Sequence, residues 1–111
     1  MRRRQGGLVA NEEALLELLA DVYPSWVTTS DLCWMVRERH LAGNWPGKRA
    51  PHEATAYRIL ANFTEHGWLD VKWWVPDDPW SKDRPARIVV LNDDGRARAR
   101  QLAIAQHGGA S

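Results

Sequence analysis

The sequence predicts an α+β domain that is mostly helical: three helices, a two-stranded hairpin and a C-terminal helix. Three observations lead there. Leu15, Leu18, Leu19 and Val22, then Leu32, Met35 and Val36, then Ala56, Ile59, Leu60 and Phe63 follow the spacing of helical apolar stripes. After Gly67 the period shortens to two, with Leu69, Val71, Trp73 and Val75 alternating against Asp70, Lys72 and Trp74, as in a strand with one buried face. Residues 87–91 are short and β-branched after a loop rich in proline and charge, so they pair back as a second strand.

A chain of 111 residues with 44% hydrophobic and 26% charged residues holds one modest core. Its formal charge is only +1, so no global field advertises a nucleic-acid partner. The distribution is more informative. Arg2, Arg3 and Arg4 open the chain, Glu12, Glu13, Glu17, Asp21 and Asp31 follow, and Lys48, Arg49 and Arg58 gather around the third helix. Lys82, Arg84 and Arg87 come later, and such grouping makes local phosphate-binding patches on a near-neutral protein. Cys33 is the single cysteine, which suits a reducing compartment. No apolar run follows the basic N-terminus, and no stretch approaches the ~20 apolar residues needed to cross a bilayer. A cytoplasmic protein is expected.

Residues 1–10 read as a flexible basic arm, loosened by Gly6 and Gly7. The single domain then runs over 11–107, and 108–111 are expected as a disordered tail. Asn11 caps a first helix at 11–22, which Pro24 stops. Trp26 and Val27 make a short extended link. Thr28 and Asp31 stand at the spacing of a reciprocal cap that opens a second helix reaching about Arg39. Two glycines and a proline make 41–50 a loop. The third helix, 51–66, starts on Pro51 and ends at Gly67. Opposite its apolar stripe stand His52, Thr55, Arg58 and Asn62, all able to donate hydrogen bonds. After the hairpin, Asn92 caps the last helix, with Asp93 and Asp94 in its first turn.

Three helices followed by a hairpin is the order of a winged helix-turn-helix, in which the third helix reads the major groove and the hairpin loop, the wing, reaches the flanking backbone. The sequence also resembles a known family, the PadR-like transcriptional regulators. The resemblance lies in Thr55-Ala56-Tyr57-Arg58-Ile59-Leu60 running to Gly67-Trp68-Leu69, and in Arg87-Ile88-Val89-Val90-Leu91-Asn92-Asp93-Asp94-Gly95-Arg96. The long loop at 41–50 also fits. Phe63 and Trp68 stand where the family usually has leucine, and little chain remains after Gly95 for a final helix. The resemblance implies a bacterial or bacteriophage repressor that binds a near-palindromic operator on double-stranded DNA as a homodimer, through its C-terminal and first helices. It places Thr55 and Tyr57 at phosphate-contacting positions, with Arg58 beside them. The residues themselves add Lys48 and Arg49 beside the helix, His52 and Asn62 on its base-facing side, and Lys72, Lys82, Arg84 and Arg87 on the 76–86 wing and its strands.

Seven tryptophans are many for this length. Trp26, Trp68 and Trp73 alternate with apolar residues and read as core. Trp34, Trp45, Trp74 and Trp80 fall on faces or loops expected to be exposed and are candidate ligand or interface residues. Some PadR-like proteins hold planar aromatic ligands between tryptophans, so the resemblance extends to such a ligand. His40, His52, His66 and His107 show no metal-ligand spacing with one another or with Cys33, which reads as a packing residue. No nucleophile elbow, phosphate loop or paired carboxylate appears, so neither an enzyme nor a cofactor is expected. Two alternatives share the fold: a protein–protein adaptor that does not touch DNA, and a phage-type accessory factor for excision or replication.

Overall fold

The computed structural model describes residues 2–46 and 49–108, and the side chains of 10–46 and 49–104. In chain order the elements are α1 (Arg2–Val22), β1 (Val27–Thr28), α2 (Thr29–Leu41), α3 (Glu53–Glu65), β2 (Leu69–Trp74), β3 (Ala86–Leu91) and α4 (Asp93–Gly108). One antiparallel sheet has the order β1-β3-β2. The winged helix-turn-helix is therefore present, mostly helical as expected, with a sheet of three strands rather than two.

Local chemistry sets the ends of the helices. The Thr28 hydroxyl accepts the Asp31 N–H at 3.0 Å, and the Asp31 carboxylate accepts the Thr28 N–H at 3.1 Å. This closes the reciprocal cap of α2. Gly67, at φ +78°, turns the chain out of α3. There the Trp68 N–H reaches the Phe63 carbonyl and the Gly67 N–H reaches the Thr64 carbonyl, each at 3.0 Å. The Phe63 and Trp68 rings meet with centroids 5.5 Å apart, the apolar contact that accompanies this Schellman ending. The same pattern ends α2 at Gly43. Asn92 Oδ1 accepts the Gly95 N–H at 2.9 Å and starts α4.

The core is shared by all the layers. Leu15, Leu16, Leu18 and Leu19 of α1, Leu32 and Val36 of α2, and Ile59, Leu60 and Phe63 of α3 close over Val27, Leu69, Val89 and Leu91 from the sheet. The central strand β3 is paired along both edges, and its residues are buried on both faces. Val89 and Leu91 point into this cluster, while Ile88 and Val90 are buried on the other face.

Several expectations need correction. The first helix begins at Arg2 rather than near Asn11, so helical backbone occupies 2–10 where an arm was expected. Arginine and glutamine are good helix formers, and Gly6 and Gly7 weaken a helix without stopping it. The side chains of Arg2, Arg3 and Arg4 and the expected tail at 109–111 lie outside the described residues. The final helix, expected to have little room, runs for 16 residues. The Trp26–Val27 link becomes a strand at Val27–Thr28, because Val27 and Thr28 pair with Val89 and Ile88. Pro51 precedes α3 instead of starting it, and His52 takes the N-cap position with no side-chain cap bond. In β2 the alternation does not track burial: only Leu69 is buried, and Val71, Trp73 and Val75 are exposed. Trp26 lies at the edge of exposure rather than in the core. Trp45, expected on an exposed loop, is 7% exposed, and its indole N–H donates to Asn11 Oδ1 at 3.1 Å.

A Cβ on Gly95 would stand 2.3 Å from the Trp68 carbonyl oxygen and 2.8 Å from Leu91 Cδ2. The first of these is backbone and cannot swing aside. Gly95→Ala should therefore lower stability by about 1–3 kcal/mol, as overpacking does, seen as an earlier denaturant midpoint; an unchanged midpoint would show that the α3–α4 junction is loose.

Candidate nucleic-acid interface

α3 carries a fully buried back and an open front. Ala56, Ile59, Leu60 and Phe63 are buried, while Ala54, Tyr57, Arg58, Ala61 and Glu65 lie together on the opposite side and are exposed. The spacing of these five keeps them on one face. The expected donors are distributed differently. Arg58 sits at the centre of that face and His52 is exposed at the N-cap, whereas Thr55 and Asn62 are half-buried along one flank. Tyr57 is 50% exposed. Ala54 and Ala61, which the donor pattern did not single out, bracket Tyr57 and Arg58 with small side chains that let helix backbone approach a surface closely. A search for exposed alanines on the donor side would have found them.

The charges are sparse. Arg58 is the only cation on the α3 helix, and Glu53 and Glu65 stand near its two ends. Arg49 is exposed just upstream, and Lys48 lies outside the described residues. Among the described residues neither Arg58 nor Arg87 is held in an ion pair; the Arg39–Asp21 bridge at 2.6 Å is elsewhere.

The hairpin splits its expected cations between faces. Register pairs Leu69 with Leu91, Val71 with Val89 and Trp73 with Arg87, so these six share the face that meets the helical core. Lys72 pairs with Ile88 on the opposite face, where its ammonium stands 4.2 Å from the centroid of Trp26. This cation–π contact turns Lys72 away from the α3 side. Lys82 and Arg84 are exposed in the connecting loop together with Asp77, Asp78 and Asp83. Local bonds shape that loop: the Trp80 N–H donates to Asp78 Oδ1 at 2.9 Å and the Asp83 N–H donates to Ser81 Oγ at 3.1 Å.

The four tryptophans singled out as ligand or interface residues do not converge. Trp34 is exposed on α2, Trp74 on the outer face of β2 and Trp80 in the wing loop, and Trp45 is in the core. Trp68, half-buried, has His66 stacked on it at 4.5 Å and the Arg98 guanidinium 5.9 Å from its centroid. Among the described residues no cluster of three or more His, Cys, Asp or Glu is placed to hold a metal ion, and no helix is long and apolar enough to cross a membrane.

The sequence matches no protein-family model and no curated protein. Solved structures do match. PadR from Bacillus subtilis, solved in complex with operator DNA, aligns over 82% of this chain at a TM-score of 0.64 and 14% identity. This chain spans 46% of that protein's length. A PadR-like transcription factor from Bacteroides fragilis aligns over 95% of this chain and 90% of its own, at a TM-score of 0.66 and 12% identity. The circadian clock associated protein Pex from Anabaena aligns over 91% and 80%, at 0.63 and 13%. At these identities the likeness is one of fold: the chain has the winged-helix fold of the PadR-like regulators.

Burial pushes the Cys33 thiol pKa upward; the Glu53 carboxylate adds to this and Arg37 partly offsets it. A raised pKa means less thiolate at any given pH. Alkylation of Cys33 by iodoacetamide near pH 8 should run well below the rate for free cysteine, and an equal or faster rate would contradict the packing role.

Proposed function

We propose that this chain, built on the winged-helix fold found in PadR, is a DNA-binding transcriptional regulator that lays the exposed face of α3 in the major groove of duplex DNA. One observation carries the proposal: the Ala54, Tyr57, Arg58 and Ala61 face is open while the opposite face of the same helix is buried. A helix of 13 residues is about 20 Å long, enough to lie across a groove with its small residues near the base edges. Arg58 is the residue placed to reach a guanine edge or a phosphate. Thr55 and Asn62 line the flank, Tyr57 and His52 meet the sugar–phosphate wall, and Arg49 extends the cationic end. The hairpin rests on the flanking backbone. The structure of PadR on operator DNA supports this placement by analogy of fold.

In this proposal the protein is a repressor that binds as a homodimer in a cytoplasm. α1 packs on α4 within the chain, and between them a groove of about 510 Å³ sets Ala20, Tyr23, Ala99 and Ala103 among the charged Glu17, Asp21, Arg96 and Arg100. With exposed Ile104 one turn beyond Arg100, α4 offers small and apolar residues among its charges that a second copy would cover. A planar aromatic ligand, if one binds, would need tryptophans from two copies, because those of one chain lie apart. The adaptor alternative keeps one supporting observation, the exposed pair Trp34 and Leu41, two turns apart on one face of α2.

The test is equilibrium binding to a labelled duplex over a range of salt. With Arg49, Arg58 and Arg87 as the phosphate-facing cations of each protomer, log K should fall against log salt with a slope of about −3 per protomer. Arg58→Ala should weaken binding by about 1–3 kcal/mol. Absence of salt-dependent binding by the wild type would refute the regulator and favour the adaptor.

A further inference from the structure

We propose that the wing engages duplex DNA through its stem, by Trp73 and Arg87, rather than through its tip. The proposal rests on the duplex-binding function above and assigns the hairpin's part in it. Four observations converge.

Trp73 and Arg87 are directly opposed in the β2–β3 register. Side chains in such a pair have Cβ atoms about 4.5–5.5 Å apart, so an indole and a guanidinium form one patch. That patch is on the helix-bearing face, because Leu69, Val71, Val89 and Leu91 have the same parity and the buried three belong to the core with Ile59, Leu60 and Phe63. The face runs outward past the core: Leu69 is 7% exposed, Val71 37% and Trp73 68%. A large apolar ring thus stands uncovered on the same side of the sheet as α3, beside a cation with no ion pair among the described residues.

The tip is electrostatically poor. Within residues 76–86 the acids Asp77, Asp78 and Asp83 outnumber the bases Lys82 and Arg84, which leaves that loop at −1. A polyanion is not drawn to it. Of the two cations on the strands, Lys72 faces away over Trp26, so Arg87 is the one on the α3 side. An exposed indole beside a guanidinium suits one partner well, the sugar–phosphate backbone next to the groove that α3 occupies. The ring packs on deoxyribose, and the guanidinium takes the adjoining phosphate.

The two residues make separable contributions. Arg87→Gln should weaken duplex binding and make the salt dependence shallower by about 0.9 in log–log slope, the signature of one lost phosphate contact. Trp73→Ala should weaken binding about tenfold with the slope unchanged, the scale of a lost aromatic–nucleotide contact. Trp73→Phe, which keeps a ring, should recover most of that loss. The paired change of Lys82 and Arg84 to glutamine should leave the slope at its wild-type value. Because Trp73 and Arg87 are exposed, all four variants should keep the wild-type circular dichroism and melting. The outcomes separate cleanly. If the wild type fails to bind duplex, the regulator function itself is lost. If the wild type binds and Trp73→Ala binds equally well, or if the tip variant takes the slope change that Arg87→Gln should show, the stem assignment is overturned and the function stands.

Discussion

The carbonyl oxygens of Gly67 and Trp68 hold together the elements on which every functional surface depends. The Asn92 side-chain amide donates to the Gly67 carbonyl at 2.7 Å, and the Asn92 backbone N–H donates to the Trp68 carbonyl at 3.0 Å. The Asn92 carboxamide oxygen meanwhile caps α4 through Gly95. One residue therefore fastens the end of α3 and the entry to β2 onto the start of α4. Each bond contributes about 1 kcal/mol, but together they fix a direction as well as a distance. Gly95 completes the junction by letting α4 approach the Trp68 carbonyl more closely than any Cβ permits.

From that junction the geometry of the surface follows. The Schellman turn at Gly67 sends β2 away from α3, and the ladder to β3 returns the chain to Asn92, so helix and hairpin leave the same corner. The core fills the inside of the corner with Phe63, Leu69 and Leu91. What lies beyond the core is open: one face of α3, and the distal hairpin with its uncovered indole. Two weakly charged features thus stand on one side of a nearly neutral molecule. Few cations give a shallow electrostatic pull, and shape and apolar contact must supply the remainder. A near-neutral chain and a duplex-binding surface are compatible on those terms.

How much of this was legible in the sequence depended on range. The cap at Thr28 and Asp31, the glycine ending α3, the cap at Asn92 and the stripe through Ala56, Ile59, Leu60 and Phe63 are local, each set by residues within a few positions. They were readable and correctly placed. What failed was long-range. Trp45 sits in a loop by composition, yet its indole meets Asn11 across 34 residues of chain. β1 is only two residues long and exists as a strand because β3 pairs with it. The alternation of β2 announced a strand truly, but burial requires something above it, and the helices cover only its first residue. On α3 the donors were visible in the sequence, whereas the centring of the open face on Ala54, Tyr57, Arg58 and Ala61 was set by how the helix rolls against α2 and the sheet.

In the function proposed above, the α3 side of the molecule, and not the α2 side, meets the partner. Chemical-shift mapping of the labelled protein on addition of duplex DNA at low salt tests it most directly. The expected result is a contiguous set of changes at Ala54, Tyr57, Arg58, Ala61 and the Trp73 indole, with Trp34 and Leu41 undisturbed. Changes confined to Trp34, Leu41 and their neighbours on α2, with α3 silent, would contradict it.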